Sequence, residues 1–232
     1  MGISYPPSEL DGALYHQIRR SKDFTPAYLD PPPSQPVGEK RYGGADVFLD
    51  FILQVVRPAV QSFFPNATLD REGLFGHSLG GLFALYALFE GNEESVWDVI
   101  VASSPSIWFG ERGILRGAKE WASNNEEGVG QFEPEDKARA EKTRLILSSG
   151  ALEQNPVRRS DESEEEFRKR ADWWAPLRMC DNAVELEELL KGCEKLSDIE
   201  LTCFENEDHS TVMGVAIGRA VSAVLGAGKT KV

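Results

Sequence analysis

The sequence predicts an α/β fold: a mostly parallel sheet with helices on both faces. Two observations point there. Short, continuous apolar runs, Val99-Ile100-Val101 and Leu145-Ile146-Leu147, have the length and composition of strands covered on both sides. Between such runs lie longer stretches in which apolar residues recur at helical spacing. Size agrees. With 232 residues, 41% hydrophobic and 27% charged, the chain suits a single α/β domain over 1–232 with a core of its own.

The elements follow in order. Gly2–Tyr5 reads as a short strand. The rest of residues 1–40 is expected to be irregular, because Pro6-Pro7, Pro26, Pro31-Pro32-Pro33 and Pro36 exclude a long helix. From Gly44 the period becomes helical, and Val47, Phe48, Phe51, Ile52, Val55 and Val56 are expected to form its buried face. Leu74-Phe75 leads into Gly76 as a strand. Leu79 to Phe89 is an apolar helix carrying Gly80, Gly81 and Ala84, small enough for close packing on a sheet. After the strand at Val99 come a helix around Ile114 to Trp121 and a polar surface insertion from Asn124 to Asp136. After the strand at Leu145, the charge-dense residues 157–172 read as a solvated helical face. An amphipathic helix from Ala183 to Cys193, a strand from Ile199 to Phe204 and a helix from Thr211 to Leu225 complete the series.

Charge and cysteine content narrow the function. Lys+Arg number 25 against Asp+Glu 38, a net charge of −13. Duplex DNA and anionic membranes would be repelled, so neither nucleic acid nor membrane is an expected partner. There is no apolar run long enough to span a bilayer. Met1 to Pro7 lacks the basic and apolar regions of a signal peptide, so a cytoplasmic location is expected. Cys180, Cys193 and Cys203 show no C-x-x-C spacing. Neither a zinc site nor a disulfide framework is expected, and no metal ligands are assigned.

In parallel sheets the chemistry sits in loops at the carboxyl ends of strands. After Leu74-Phe75 comes Gly76-His77-Ser78-Leu79-Gly80, a G-x-S-x-G match between a strand and an apolar helix. A sharp turn there would hold Ser78 in a strained conformation as a nucleophile, with glycines where no Cβ fits. The Leu79 N–H, opening the helix, would face an oxyanion. A serine nucleophile needs a base. His77 adjoins Ser78 and cannot easily reach its oxygen. No element places His16 near the elbow. His209 follows the last strand, where such a base belongs. The orienting acid should lie between serine and base in chain order. Glu153 is the first carboxylate after the strand Leu145-Ile146-Leu147; Asp161, Glu205 and Asp208 are its rivals.

Gly76 to Leu85, GHSLGGLFAL, followed by Ala102 to Trp108, ASSPSIW, resembles the putative-esterase family of α/β-hydrolases in its siderophore-esterase branch, which includes the enterochelin esterases and the fungal triacetylfusarinine C esterases. Gly2 to Pro6, Arg20 to Pro26 and Gly43 to Asp46 match in the family's order. The resemblance implies an α/β-hydrolase fold with Ser78 as nucleophile and His209 as base. Some bacterial members work as a Ser-His dyad, which leaves the acid open. Arg20 matches an arginine near the substrate pocket in this branch; a salt bridge with Asp23 is the alternative. Ser104 to Trp108 would line the pocket floor, with Trp108 either touching substrate or serving the core. No cofactor is implied. The small-molecule substrate would be an ester of a hydroxamate siderophore, with iron arriving on it. A short-acyl or S-formylglutathione-type hydrolase is the alternative enzyme, and an inactive remnant the alternative of another class. Relative to the family the chain is expected to lack the N-terminal strands, including strand 3 beside the elbow strand and the loop supplying a second oxyanion N–H. Poor solubility and low activity are expected to follow from that bare edge.

Overall fold

The structure, a computed structural model, describes residues 12–29, 41–66, 71–90, 96–124 and 142–226. The chain divides into two compact units: Met1–Thr68 with Phe109–Glu111, and Leu69–Trp108 with Arg112–Val232.

In the first unit a helix, α1 (Gly12–Asp23), occupies part of the stretch expected to be irregular. The prolines explain the difference: Pro7 and Pro26 bracket a proline-free run, and the helix fits between them. The turn after α1 is tied to the next helix. Thr25 Oγ1 donates to the Ser21 carbonyl (2.7 Å) and accepts from the Gly43 N–H (2.9 Å). Gly44 N–H donates to the Lys22 carbonyl (2.9 Å). Then follow α2 (Ala45–Phe51), one π-helical turn (Ile52–Val56) and α3 (Arg57–Phe63). Their buried residues are Ala45, Leu49 and Ile52, whereas Val47, Phe51 and Val55 are exposed. The expected buried face is therefore corrected. This segment carries two apolar rows, and the one containing Val47, Phe51 and Val55 is on the surface. The strand read at Gly2–Tyr5 and the insertion from residue 125 to 136 lie outside the described residues.

The second unit holds a four-stranded parallel sheet: β1 (Gly73–His77), β2 (Val99–Ser103), β3 (Thr143–Gly150) and β4 (Leu196–Phe204), in the order β1-β2-β3-β4. Leu74, Ile100, Leu145 and Ile199 are in register across it. Among the described residues, β1 and β4 are its edges. The helices that follow are α4 (Leu79–Phe89), α5 (Phe109–Ser123, counted in this unit from Arg112 onward), α6 (Ala151–Gln154), α7 (Glu164–Trp174), α8 (Met179–Leu190) and α9 (Val212–Val224). Strand residues alternate between faces. Val99, Val101 and Ile146 meet Ala220 and Ala223 of α9 in one buried cluster. Ile100, Leu145 and Leu147, fully buried, point the other way. α4 packs on β1 and β2, and α8 on β3 and β4, so both faces are covered. α4 is buried almost throughout, as an all-apolar helix must be. Each crossover returns the chain to the amino end of the next strand, which brings residues 78, 104, 153 and 209 to the opposite end. No helix among the described residues is long and apolar enough to cross a membrane.

Candidate active site

The turn from β1 into α4 holds Ser78 at φ 62° and ψ −122°. A non-glycine residue with positive φ persists only where its surroundings over-determine it. Here they do. Ser78 N–H donates to the Ser103 carbonyl (3.0 Å), extending the β1–β2 pairing by one residue. Its own carbonyl accepts from Leu82 N–H (3.0 Å) and Ser106 N–H (3.1 Å). A Cβ on Gly76 would stand 1.9 Å from the Gly80 carbonyl oxygen, so glycine is required for the turn to close. Leu79 opens α4, and the first N–H groups of a helix have no acceptor within it. Such groups can receive a developing negative charge.

Glu153 lies in the first turn of α6 and is 1% exposed. Burying a carboxylate requires compensation, and each of its oxygens has it. Oε1 accepts from Ser104 Oγ (2.5 Å) and from Gly150 N–H (2.7 Å). Oε2 faces His209 Nδ1 at 2.6 Å. A Cβ on Gly150 would stand 2.2 Å from the Glu207 carbonyl oxygen, so the loop carrying His209 can close down onto the end of β3. Leu152 N–H donates to that same carbonyl (3.1 Å). Ser104, fully buried, adopts φ 41° to turn its hydroxyl toward Glu153.

The His209 ring contacts two others. The His77 ring centroid is 4.6 Å away and that of Trp174 is 4.7 Å away. His77 precedes Ser78 directly, so the His209 ring contacts the residue that leads into the elbow. His77 Nδ1 is itself 3.3 Å from Ser103 Oγ. With Nδ1 engaged by Glu153, Nε2 is the nitrogen free to exchange a proton with a hydroxyl. Serine, imidazole and carboxylate together can carry nucleophilic acyl transfer.

The rival acids have other surroundings. Asp161 and Glu205 are exposed. Burial alone would raise the Asp208 carboxyl, but it is held below its ordinary range by the N–H groups of Ser210 and Thr211 and by the Arg159 guanidinium. Arg159 meets it at 2.6 Å. Asp208 therefore shapes the base loop. His16 lies on α1 in the first unit. Arg20 is on the same helix, its guanidinium 5.8 Å from the Phe24 ring centroid, while Arg19 pairs with Asp23 at 3.9 Å. Trp108, half-buried, immediately precedes α5.

The sequence reading did not single out Trp174. It ends α7, two positions past the charge-dense residues 157–172, and that helix has no buried residue. That segment is more than a solvated face. Arg170 grips Glu162 through two bonds of 2.7 Å, and Arg159, whose N–H donates to Glu162 (3.1 Å), reaches Asp208. The charge pattern held no signal for the link to the base loop, since Asp208 lies forty-nine positions from Arg159. No group of residues among those described could hold a metal ion.

Residues 22–178 match the model of the family described as Putative esterase. The chain is 42% identical over 222 residues to the siderophore triacetylfusarinine C esterase of Aspergillus fumigatus, covering 96% of this chain and 68% of that protein. It is 40% identical over 210 residues to the siderophore enterobactin esterase of Emericella nidulans, covering 88% and 65% respectively. The solved siderophore hydrolase EstA from Aspergillus nidulans superposes with a TM-score of 0.79 at 38% identity, over 97% of this chain and 70% of that one. The chain thus spans about two thirds of the length of the relatives it matches.

Proposed function

The chain belongs to the Putative esterase family, and from that premise we propose that it is a serine ester hydrolase of the α/β-hydrolase type that cleaves ester bonds of a hydroxamate siderophore. One observation carries the chemical part: a buried glutamate, Glu153, bonded at 2.6 Å to a histidine, His209, whose ring lies 4.6 Å from that of His77, the residue before the strained Ser78.

In the proposed mechanism His209 Nε2 takes the proton of Ser78 as Ser78 Oγ attacks the ester carbonyl. The Leu79 N–H donates to the resulting oxyanion. Collapse of the tetrahedral intermediate expels the alcohol, which receives its proton from His209. Water, activated by the same imidazole, then releases the acid and restores Ser78. Glu153 stays ionised throughout. It holds the imidazole in one tautomer and stabilises the imidazolium. The rings of His77 and Trp174 limit how far His209 can rotate. Arg20 and Trp108 are proposed as substrate contacts. Any iron would belong to the substrate.

The substrate class rests on the relatives named above, a triacetylfusarinine C esterase and an enterobactin esterase. Two measurements test the proposal. Ser78→Ala should abolish hydrolysis of a p-nitrophenyl ester and labelling by a phosphonofluoridate, with an unchanged melting temperature; activity near wild type would remove Ser78 from the mechanism. Triacetylfusarinine C should be cleaved faster than S-formylglutathione at equal concentration. A preference for the thiol ester would replace the siderophore with a small thiol-ester substrate.

A further inference from the structure

Two of the three cysteines meet behind Glu153. Cys180 lies in the first turn of α8 and Cys203 near the end of β4, twenty-three positions later. Their sulfurs are 3.6 Å apart, which is contact distance for two thiols. Cys203 pairs in register with Ser149 of β3, and Cys180 Sγ also approaches the Gly150 carbonyl (3.4 Å). Both thiols therefore abut the strand end from which Gly150 N–H donates to Glu153. Cys203 is exposed on an edge strand of the described sheet, Cys180 is half-buried, and Cys193 lies apart from the pair, just past the end of α8.

We propose that Cys180 and Cys203 are a redox modification site: they close into a reversible disulfide that ties α8 to β4. A disulfide needs its sulfurs at about 2 Å, with Cβ atoms about 4 Å apart. The sulfurs start at contact distance, and the exposed side chain of Cys203 is the one able to turn toward Cys180. The oxidant is a small disulfide such as glutathione disulfide. The Cys203 thiolate attacks one of its sulfurs, forming a mixed disulfide and releasing one glutathione thiolate. Cys180 then gives up its proton, and its sulfur attacks Cys203 Sγ, releasing the second. Two protein thiols lose two electrons and two protons, and one glutathione disulfide becomes two glutathiones. Burial pushes the Cys180 thiol up to about 12, with Cys203 and Glu153 adding to the effect against the help of Ser149. Thiolate is the attacking form, so the second step is the slow one and quickens with pH, while the exposed Cys203 takes the first step.

The test treats the intact chain with excess glutathione disulfide at pH 8.5, blocks remaining thiols by alkylation, and maps peptides without reduction. The expected product is one linked pair, Cys180 to Cys203, with Cys193 alkylated. Cys193→Ser should leave the link intact, and Cys180→Ser should leave Cys203 as a stable glutathione adduct. Closing a loop of this length should raise the melting temperature by about 5–10 °C, reversibly with dithiothreitol. Three alkylated cysteines after oxidation, or a link involving Cys193, would overturn the proposal. So would a linked chain that melts lower than the reduced one, because the tie would then be foreign to the native geometry.

Discussion

Replacing Ser104 by alanine removes one hydroxyl from the buried side of Glu153. That hydroxyl donates at 2.5 Å to Oε1, and the acceptor is a carboxylate. Hydrogen bonds to charged groups contribute about 1.5–3 kcal/mol, and about 1.4 kcal/mol is a factor of ten in rate. Gly150 N–H remains on the same oxygen at 2.7 Å, so the carboxylate keeps one donor. The lower end of the range applies, and kcat should fall about tenfold. KM should hardly change, because Ser104 is fully buried and its hydroxyl faces Glu153. A second variant separates orientation from folding. Ser104 sits at φ 41°, where alanine is as strained as serine and glycine is not. Ser104→Gly should lose the same rate factor as Ser104→Ala but melt about 2–4 °C higher, the equivalent of about 1 kcal/mol in a chain of this size. Steady-state turnover of a p-nitrophenyl ester and a thermal melt on both variants decide the matter. If kcat stays within twofold of wild type in both, Glu153 does not depend on this hydroxyl. If the two variants differ in rate as they differ in stability, the rate loss came from unfolding.

Three further outcomes are expected. His209→Ala should reduce kcat by several orders of magnitude and Glu153→Gln by less, since the acid acts only through the base; equal activity of Glu153→Gln and wild type would make the site a Ser-His dyad. The two bonds from Arg170 lower the Glu162 carboxyl from its ordinary 4.5 to about 2. A depressed carboxyl stabilises the fold above its unfolded value and loses that contribution as pH falls. The melting temperature of wild type should therefore drop more steeply between pH 4.5 and 2 than that of Glu162→Gln, and parallel curves would show that the pair does not brace the loop. Ala220→Leu, facing β2 and β3, should overpack the sheet and cost about 1–3 kcal/mol, whereas Val221→Ser on the exposed side of α9 should stay within about 0.5 kcal/mol. Equal melting temperatures for those two variants would contradict the packing described.

What was legible in the sequence is what local rules decide. Ser78 occupies a turn whose glycine spacing announces its geometry, and the positive φ follows from that spacing. That His209 and Glu153 would face each other could be read from chain order, because parallel strands deliver the loops after β3 and β4 to one end of the sheet. The supporting contacts were not legible. Ser104 reaches Glu153 across forty-nine positions, and Trp174 reaches His209 from a helix whose composition reads as solvent-facing. Such contacts depend on loop paths, and no period or motif encodes a loop path. The helix α1 was missed for the opposite reason. The effect of proline stops about one turn from each ring, so the proline-free run between Pro7 and Pro26 can be helical.

The misread face of α2 shows where periodicity itself runs short. An apolar period identifies rows on a helix, but it does not say which row meets the protein when two are apolar. In α2 and the π-turn, Ala45, Leu49 and Ile52 are buried while the larger Phe51, with Val47 and Val55, is exposed. The same inversion holds in α9. Val212, Ala216, Ala220 and Ala223 are buried, whereas Met213, Ile217, Val221 and Leu225, spaced four residues apart along one row, are all more than 40% exposed. The physical reason is distance. A helix can approach a sheet closely only where its side chains are short, so the alanines settle against Val99, Val101 and Ile146, and the bulkier row turns outward. α4 follows the rule in the form the sequence made visible, with Gly80, Gly81 and Ala84 all buried. In α9 and α4, therefore, small side chains at helical spacing mark the face that lies closest to the sheet, whereas in α2 and the π-turn the buried row is Ala45 with the larger Leu49 and Ile52.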